Sequence, residues 1–150
     1  MKPPLFILLI IMPAFLMAQT YTVKQDATGD YTTIQGAMDS LPGNDTILVW
    51  PGIYYENIEV KHKQFVLGSL TLTTGNNSYT TQTIIDGNFQ GRCLYVDSCS
   101  FFEINGLTLQ HGESWASAGI WVFNSNCNIR NCIVKTNFAK SDAGGIGITI

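Results

Sequence analysis

His111 and Glu113 flank Gly112, just past the apolar run Leu107–Leu109. An imidazole and a carboxylate this close in sequence suit a base and the group that orients it, or a simple polar turn. A second set of acids, Asp86, Asp97 and Glu103, would suit acid–base work on a sugar if stacked segments brought them to one face. Asp86-Gly87 is also a turn signal. Glu103 alternates with Phe102 and Ile104, which points it at solvent. Trp115 lies in the polar loop Gly112–Gly119 and offers an amphipathic face to a sugar ring. Trp115, His111 and Glu113 are therefore the candidate carbohydrate-binding residues, and no catalytic residue is assigned. Tyr95 and Trp121 are expected to stack on one another, either in the core or as an outer binding stripe.

Metal chemistry finds little support. Only two histidines are present, His62 and His111, and no CxxC occurs, so a zinc site is not expected. Asn76-Asn77-Ser78 and Asn88 could supply oxygen ligands, but no dense Asp/Glu/Gly repeat of the calcium-binding kind accompanies them. No cofactor is expected and calcium is not indicated. Cys93, Cys99, Cys127 and Cys132 read either as disulfides, with three connectivities open, or as thiols stacked in a core.

The chain has 150 residues, 8 Lys+Arg against 11 Asp+Glu, and a net charge of −3. That balance excludes a nucleic-acid protein driven by basic charge. Basic residues are scattered, so no groove for an anionic polymer is evident. At the start, Lys2 precedes Leu5–Met12 and Ala14–Met17, with Ala18-Gln19 at a plausible cut. This reads as a signal peptide over residues 1–18, too short for a transmembrane helix. Export would place the cysteines where disulfides can form. No later segment is apolar and long enough to span a bilayer.

The elements that must position these groups follow. Ile34, Ala37, Met38 and Leu41 fall on one helical face, with Thr32 and Gln35 as a capping box and Pro42-Gly43 as the stop. The rest reads as short strands rich in Val, Ile, Thr, Tyr and Phe between Gly, Asn, Ser and Asp. They repeat. Cys93–Val96, Gly119–Val122 and Gly145–Ile148 recur every 26 residues, and Phe102–Leu109 matches Cys127–Val134 at 25. Such a period marks a solenoid. With about three strands and no helical pattern per period, stacked turns make a parallel β-helix. Asn105-Gly106 and Arg130-Asn131 suit left-handed corners. A leucine-rich-repeat-like solenoid is the alternative, but its return is helical or 3₁₀, and here the return holds the strand Ile120–Phe123. The expected fold is thus all-β, with an N-terminal strand and capping helix over 19–45 and β-helix turns over 46–150.

The segment Gly29–Pro42, continued by Thr46–Glu56, resembles the opening of pectin methylesterases in the pectin-lyase-like right-handed β-helix superfamily. Ile84-Ile85-Asp86-Gly87 is an element common in that superfamily. Asn137-Phe138-Ala139 followed by Gly144-Gly145-Ile146 resembles repeats of bacterial polymorphic surface proteins. The resemblance implies an amphipathic helix plugging the N-terminal mouth of the coil. The esterase motifs that carry the catalytic acids and arginine do not occur here, so no catalytic residue transfers.

Two functions follow as expectations. One is the N-terminal part of an exported protein that binds or acts on extracellular polysaccharide or a cell-surface glycan. If an enzyme, it would be a lyase, esterase or glycoside hydrolase with its catalytic residues beyond Ile150. The other is a non-catalytic surface or adhesion protein. Either is secreted or at the bacterial cell surface. Gly147–Ile150 stops inside a strand with no polar cap, which leads to the expectation of a fragment of a longer chain. Oligomeric state is not readable.

Overall fold

The computed structural model describes residues 18–150. The expected signal peptide lies outside the described residues, apart from Ala18. The elements run β1 (Thr20–Val23), α1 (Ile34–Ser40), β2 (Asp45–Val49), β3 (Gly52–Tyr55), β4 (Ile58–Lys61), β5 (Phe65–Ser69), α2 (Thr71–Thr74), α3 (Ser78–Gln82), β6 (Thr83–Asp86), β7 (Leu94–Asp97), β8 (Phe102–Asn105), β9 (Thr108–Gln110), β10 (Glu113–Ser114), β11 (Ile120–Phe123), β12 (Cys127–Arg130), β13 (Ile133–Lys135), β14 (Phe138–Ala139) and β15 (Ile146–Thr149).

Every pairing is parallel, and the strands sort into sheets by their place in the repeat. One sheet runs β1-β2-β5-β8-β12, a second β3-β6-β9-β13, a third β4-β7-β11-β15, with β10-β14 as a short fourth. The registers reproduce the sequence period: Leu94 pairs with Ile120, Ile120 with Ile146, and Phe102 with Cys127. This mostly β, parallel architecture is consistent with a parallel β-helix. A leucine-rich repeat has one strand per turn, whereas each turn here carries three.

Alternation decides what goes inside. Like residues stack through the interior: Phe65 on Phe102, Leu67 on Ile104, Ile58 on Leu94 and Ile120, Val60 on Val96 and Val122. These form one buried cluster with Tyr54, Ile85 and Leu109 of the second sheet. Each such side chain contributes about 1.5–3 kcal/mol by leaving water, so the stacked interior dominates stability. The corner after β8 uses Gly106 at φ +73°, and the next turn repeats it with Asn131 at φ +50°. Asn131 Nδ2 donates to Asn105 Oδ1 at 3.0 Å, linking the two corners.

Helix α1 buries Ile34, Ala37 and Met38 against β1, β2 and β4. Its cap differs from the expected box. Thr33 is the N-cap, accepting from Gly36 N–H at 3.2 Å, because Gln35 has other work. The Gln35 amide donates to Glu59 C=O at 3.0 Å and accepts from Glu59 N–H at 2.8 Å. It thus satisfies the free edge of β4, as Gln25 does for β3 by donating to Ile53 C=O. At the other end of the stack the edge is open, and Ile133, Ile146 and Ile148 are exposed.

The interval between β5 and β6 is a further correction. It holds two short helical turns, α2 and α3, where no helical pattern was expected. Gly75, at φ +71°, ends α2. Thr80 pins α3 to the stack, donating to Asn131 C=O at 3.1 Å and accepting from Thr108 Oγ1 at 2.7 Å.

Candidate functional site on the outer face of the third sheet

Strands β4, β7 and β11 turn Ile58, Val60, Leu94, Val96, Ile120 and Val122 inward. Glu59, Tyr95 and Trp121 therefore form one in-register outer column, and Lys61, Asp97 and Phe123 a second. Tyr95 and Trp121 stack at 4.8 Å with planes 25° apart. The expected stack is formed, and it stands outside the core. Phe123 meets Trp121 edge-on at 5.8 Å. Ring faces turned on one another leave mainly their edges to solvent, so this ladder is first a device that stabilises the sheet.

Binding character comes from what surrounds Tyr95. Arg92 reaches back over the column, its guanidinium 4.3 Å from the Trp121 ring centre and 5.9 Å from that of Tyr95. Its Nε donates to Ala116 C=O at 3.0 Å, which ties it to the Trp115 loop. Desolvation lowers the arginine pKa, yet an arginine stays charged. Lys61 Nζ stands 5.7 Å from the Tyr95 ring centre and pairs with Glu59. Burial, with Asp97 next, pushes the Tyr95 phenol up, so it remains a neutral donor near pH 7. Asn57, Ile58, Glu59, Arg92 and Tyr95 enclose an open pocket of about 260 Å³. That is near the lower end of small-molecule sites, ~300–1,000 Å³. Asn57 Nδ2 is occupied, donating to Gly87 and Arg92 carbonyls at 3.3 and 2.9 Å, and so braces the loop that carries Arg92.

The residues singled out by sequence are distributed differently. Trp115 is 70% exposed on its loop, whose backbone is held by Ser141 donating to Trp115 C=O. His111 and Glu113 do not pair. Glu113 lies 3.8 Å from Lys140, and the carboxylate that holds His111 is Asp86, with Nδ1 2.8 Å from Oδ2. Asp86, Asp97 and Glu103 do not converge, because they belong to the second, third and first sheets. Glu103 binds Asn105 and faces Arg130 at 3.8 Å. Sequence reasoning missed Arg92 and Asn57. The available signal was an arginine just before a repeat strand in a charge-poor chain, visible only once the column is known. Its companion correction is that Lys61 and Arg92, scattered in sequence, meet at one aromatic ring.

All four cysteines are free thiols, and burial pushes the Cys93 and Cys127 thiols up to about 12. No group of three or more metal-ligating side chains occurs among the described residues. Among the same residues no helix is long and apolar enough to cross a membrane.

The chain is similar to plant pectinesterases. Over 105 residues it is 30% identical to the probable pectinesterase/pectinesterase inhibitor 41 of Arabidopsis thaliana, covering 60% of this chain and 18% of that protein. Over 130 residues it is 29% identical to pectinesterase 31 of the same plant, covering 73% of this chain and 41% of that protein. The chain thus spans less than half the length of either relative. No family model matches it, and no solved structure gives a significant match.

Proposed function

We propose that the chain is the N-terminal part of an exported protein that binds or acts on extracellular polysaccharide along the outer face of β4, β7 and β11. The observation that carries this reading is the convergence of Tyr95, Arg92, Glu59 and Asn57 on one outward-facing pocket. The open edge and phenol of Tyr95 meet the sugar, and the charged groups take its hydroxyls. Arg92 and Lys61 would meet a uronate carboxylate. Trp115, on the loop tied to Arg92, extends the same surface, with His111 and Glu113 on the same connection between β9 and β11. The similarity to pectinesterases supports a pectin-type polymer as the partner.

The reading includes a removable signal peptide over 1–18 and secretion or display at the cell surface. It includes a right-handed coil with α1 plugging its first turn. A second reading, a non-catalytic surface protein, rests on the lack of a convergent acid–base set together with the Asn137…Gly145 pattern. That pattern has a structural cause. Asn137 accepts from Gly112 N–H at 2.7 Å and donates to Leu109 C=O at 3.1 Å, and a Cβ at Gly144 would sit 2.4 Å from Asn137 C=O. Binding of the chain to a glycan array tests the choice. Binding that Trp115→Ala abolishes supports carbohydrate recognition, and no binding to any polymer favours the display protein.

A further inference from the structure

Away from the Tyr95 pocket, the loop after β6 folds against the end of β9. Asp86 is buried at its base and fully engaged. Oδ1 accepts from Asn88 N–H at 2.9 Å, and Oδ2 accepts from Gln110 Nε2 at 2.9 Å and from His111 Nδ1 at 2.8 Å. A carboxylate on Nδ1 fixes the tautomer and leaves Nε2 as the acceptor of the neutral ring. Phe89 stacks on this imidazole at 5.0 Å with planes 27° apart, and its N–H donates to His111 C=O at 2.7 Å.

Left-handed corners recur in this fold, and that of His111 returns one turn later at Thr136, φ +49°, but Phe89 stands apart from them. Asn88, Phe89 and His111 sit at φ +48°, +56° and +55°. Asparagine tolerates the left-handed region, but a bulky aromatic there is an outlier. Phe89 gains no burial in exchange, being 52% exposed, and the imidazole it covers is itself half-buried. A left-handed aromatic fixed against an imidazole, with over half its surface open, presents a preset ring and ring nitrogen side by side. The same loop ends at Arg92, and Asn57 braces both of its ends through Gly87 and Arg92 carbonyls. The Phe89–His111 pair and the Tyr95 pocket are therefore two ends of one fixed loop.

We infer that Phe89 and His111 form a second sugar-contact site, with His111 Nε2 accepting a hydrogen bond from a ring hydroxyl and the open part of Phe89 lying against the sugar's C–H face. This rests on the polysaccharide reading above and extends its track past Arg92. The ligand is the neutral, hydroxyl-bearing part of the polymer, since this end of the loop presents an acceptor and an apolar ring.

The test is titration of the full chain with a methyl-esterified oligogalacturonide, followed by calorimetry and by the ¹⁵N resonance of His111 Nε2. Phe89→Gly removes the contact and relieves the left-handed strain, so folding is not compromised. His111→Gln keeps a donor for Asp86 without the ring nitrogen. The expected result is a shift of the Nε2 resonance and a loss of about fivefold in affinity in each variant. Equal affinity in both variants with an unmoved resonance overturns the second site alone. A wild-type chain that binds no oligosaccharide overturns the polysaccharide reading and this site with it.

Discussion

Glu56 and Lys63 grip opposite ends of α1. The Glu56 carboxylate, just past β3, accepts from Ile34 N–H at 2.9 Å and Gln35 N–H at 2.8 Å. Lys63 Nζ donates to the carbonyls of Met38, Asp39 and Leu41 at 2.8, 3.2 and 2.9 Å. A negative group at the N-terminus and a positive one at the C-terminus satisfy orphan backbone groups and match the helix dipole. Both come from the segments flanking β4, so one strand's two ends hold the helix at both of its own. Glu56→Gln and Lys63→Met are each expected to cost about 1–3 kcal/mol, read as a lower urea midpoint at unchanged m-value. Unchanged midpoints would show that apolar burial alone seats the helix.

Asn137→Ala tests the corner between turns. Its Oδ1 receives Gly112 N–H and the Cys93 thiol, and its amide serves Leu109 C=O. Truncation removes the partner of Gly112 N–H and the amide donor to Leu109 C=O, while the Cys93 thiol keeps Gln110 C=O at 3.1 Å; the site is crowded, a Cβ on Gly112 lying 2.1 Å from Ala118 C=O. The expected loss is about 2 kcal/mol. A variant as stable as wild type would mean that water replaces the amide freely.

Acid stability should report on Asp86. Burial pulls its carboxyl up, but Gln110, the Asn88 N–H and His111 outweigh burial and hold the group below its ordinary 3.8. A depressed carboxylate gives stability that is complete above the unfolded value and lost as pH falls through the folded one. Asp86→Asn should therefore show a shallower decline of Tm below about pH 4 than wild type. Parallel declines would remove Asp86 from the acid transition.

The thiols give a chemical readout. With Cys93 and Cys127 pushed up to about 12, and Cys99 and Cys132 also raised by burial, the native chain should react slowly with a thiol reagent at pH 8. Unfolding in denaturant should release four reactive thiols. Fewer than four would indicate disulfides.

Much of the architecture was legible because a stacked turn repeats its pattern. The 26-residue spacing of Leu94, Ile120 and Ile146 is the observed register, and the corner at Asn131 was readable as a left-handed position. The helical turns α2 and α3 were not. Their segments Thr71–Thr74 and Ser78–Gln82 are rich in threonine, a weak helix former, and tertiary contacts through Thr80 and Thr108 hold them. Gln35 looked like a capping residue because spacing cannot show that an unpaired strand edge needs its amide. The site was least legible. His111 takes its carboxylate from 25 residues upstream, one turn away, and Arg92 reaches Trp121 across a turn. Nearness between turns follows the register, which no short motif contains.

The most direct test of the account is calorimetric titration of the chain with oligogalacturonate, comparing wild type with Arg92→Ala and Tyr95→Ala at matched unfolding midpoints. The account predicts saturable binding by wild type and a loss of at least about tenfold, ~1.4 kcal/mol, in each variant. No binding by wild type, or equal binding by all three proteins, would contradict it.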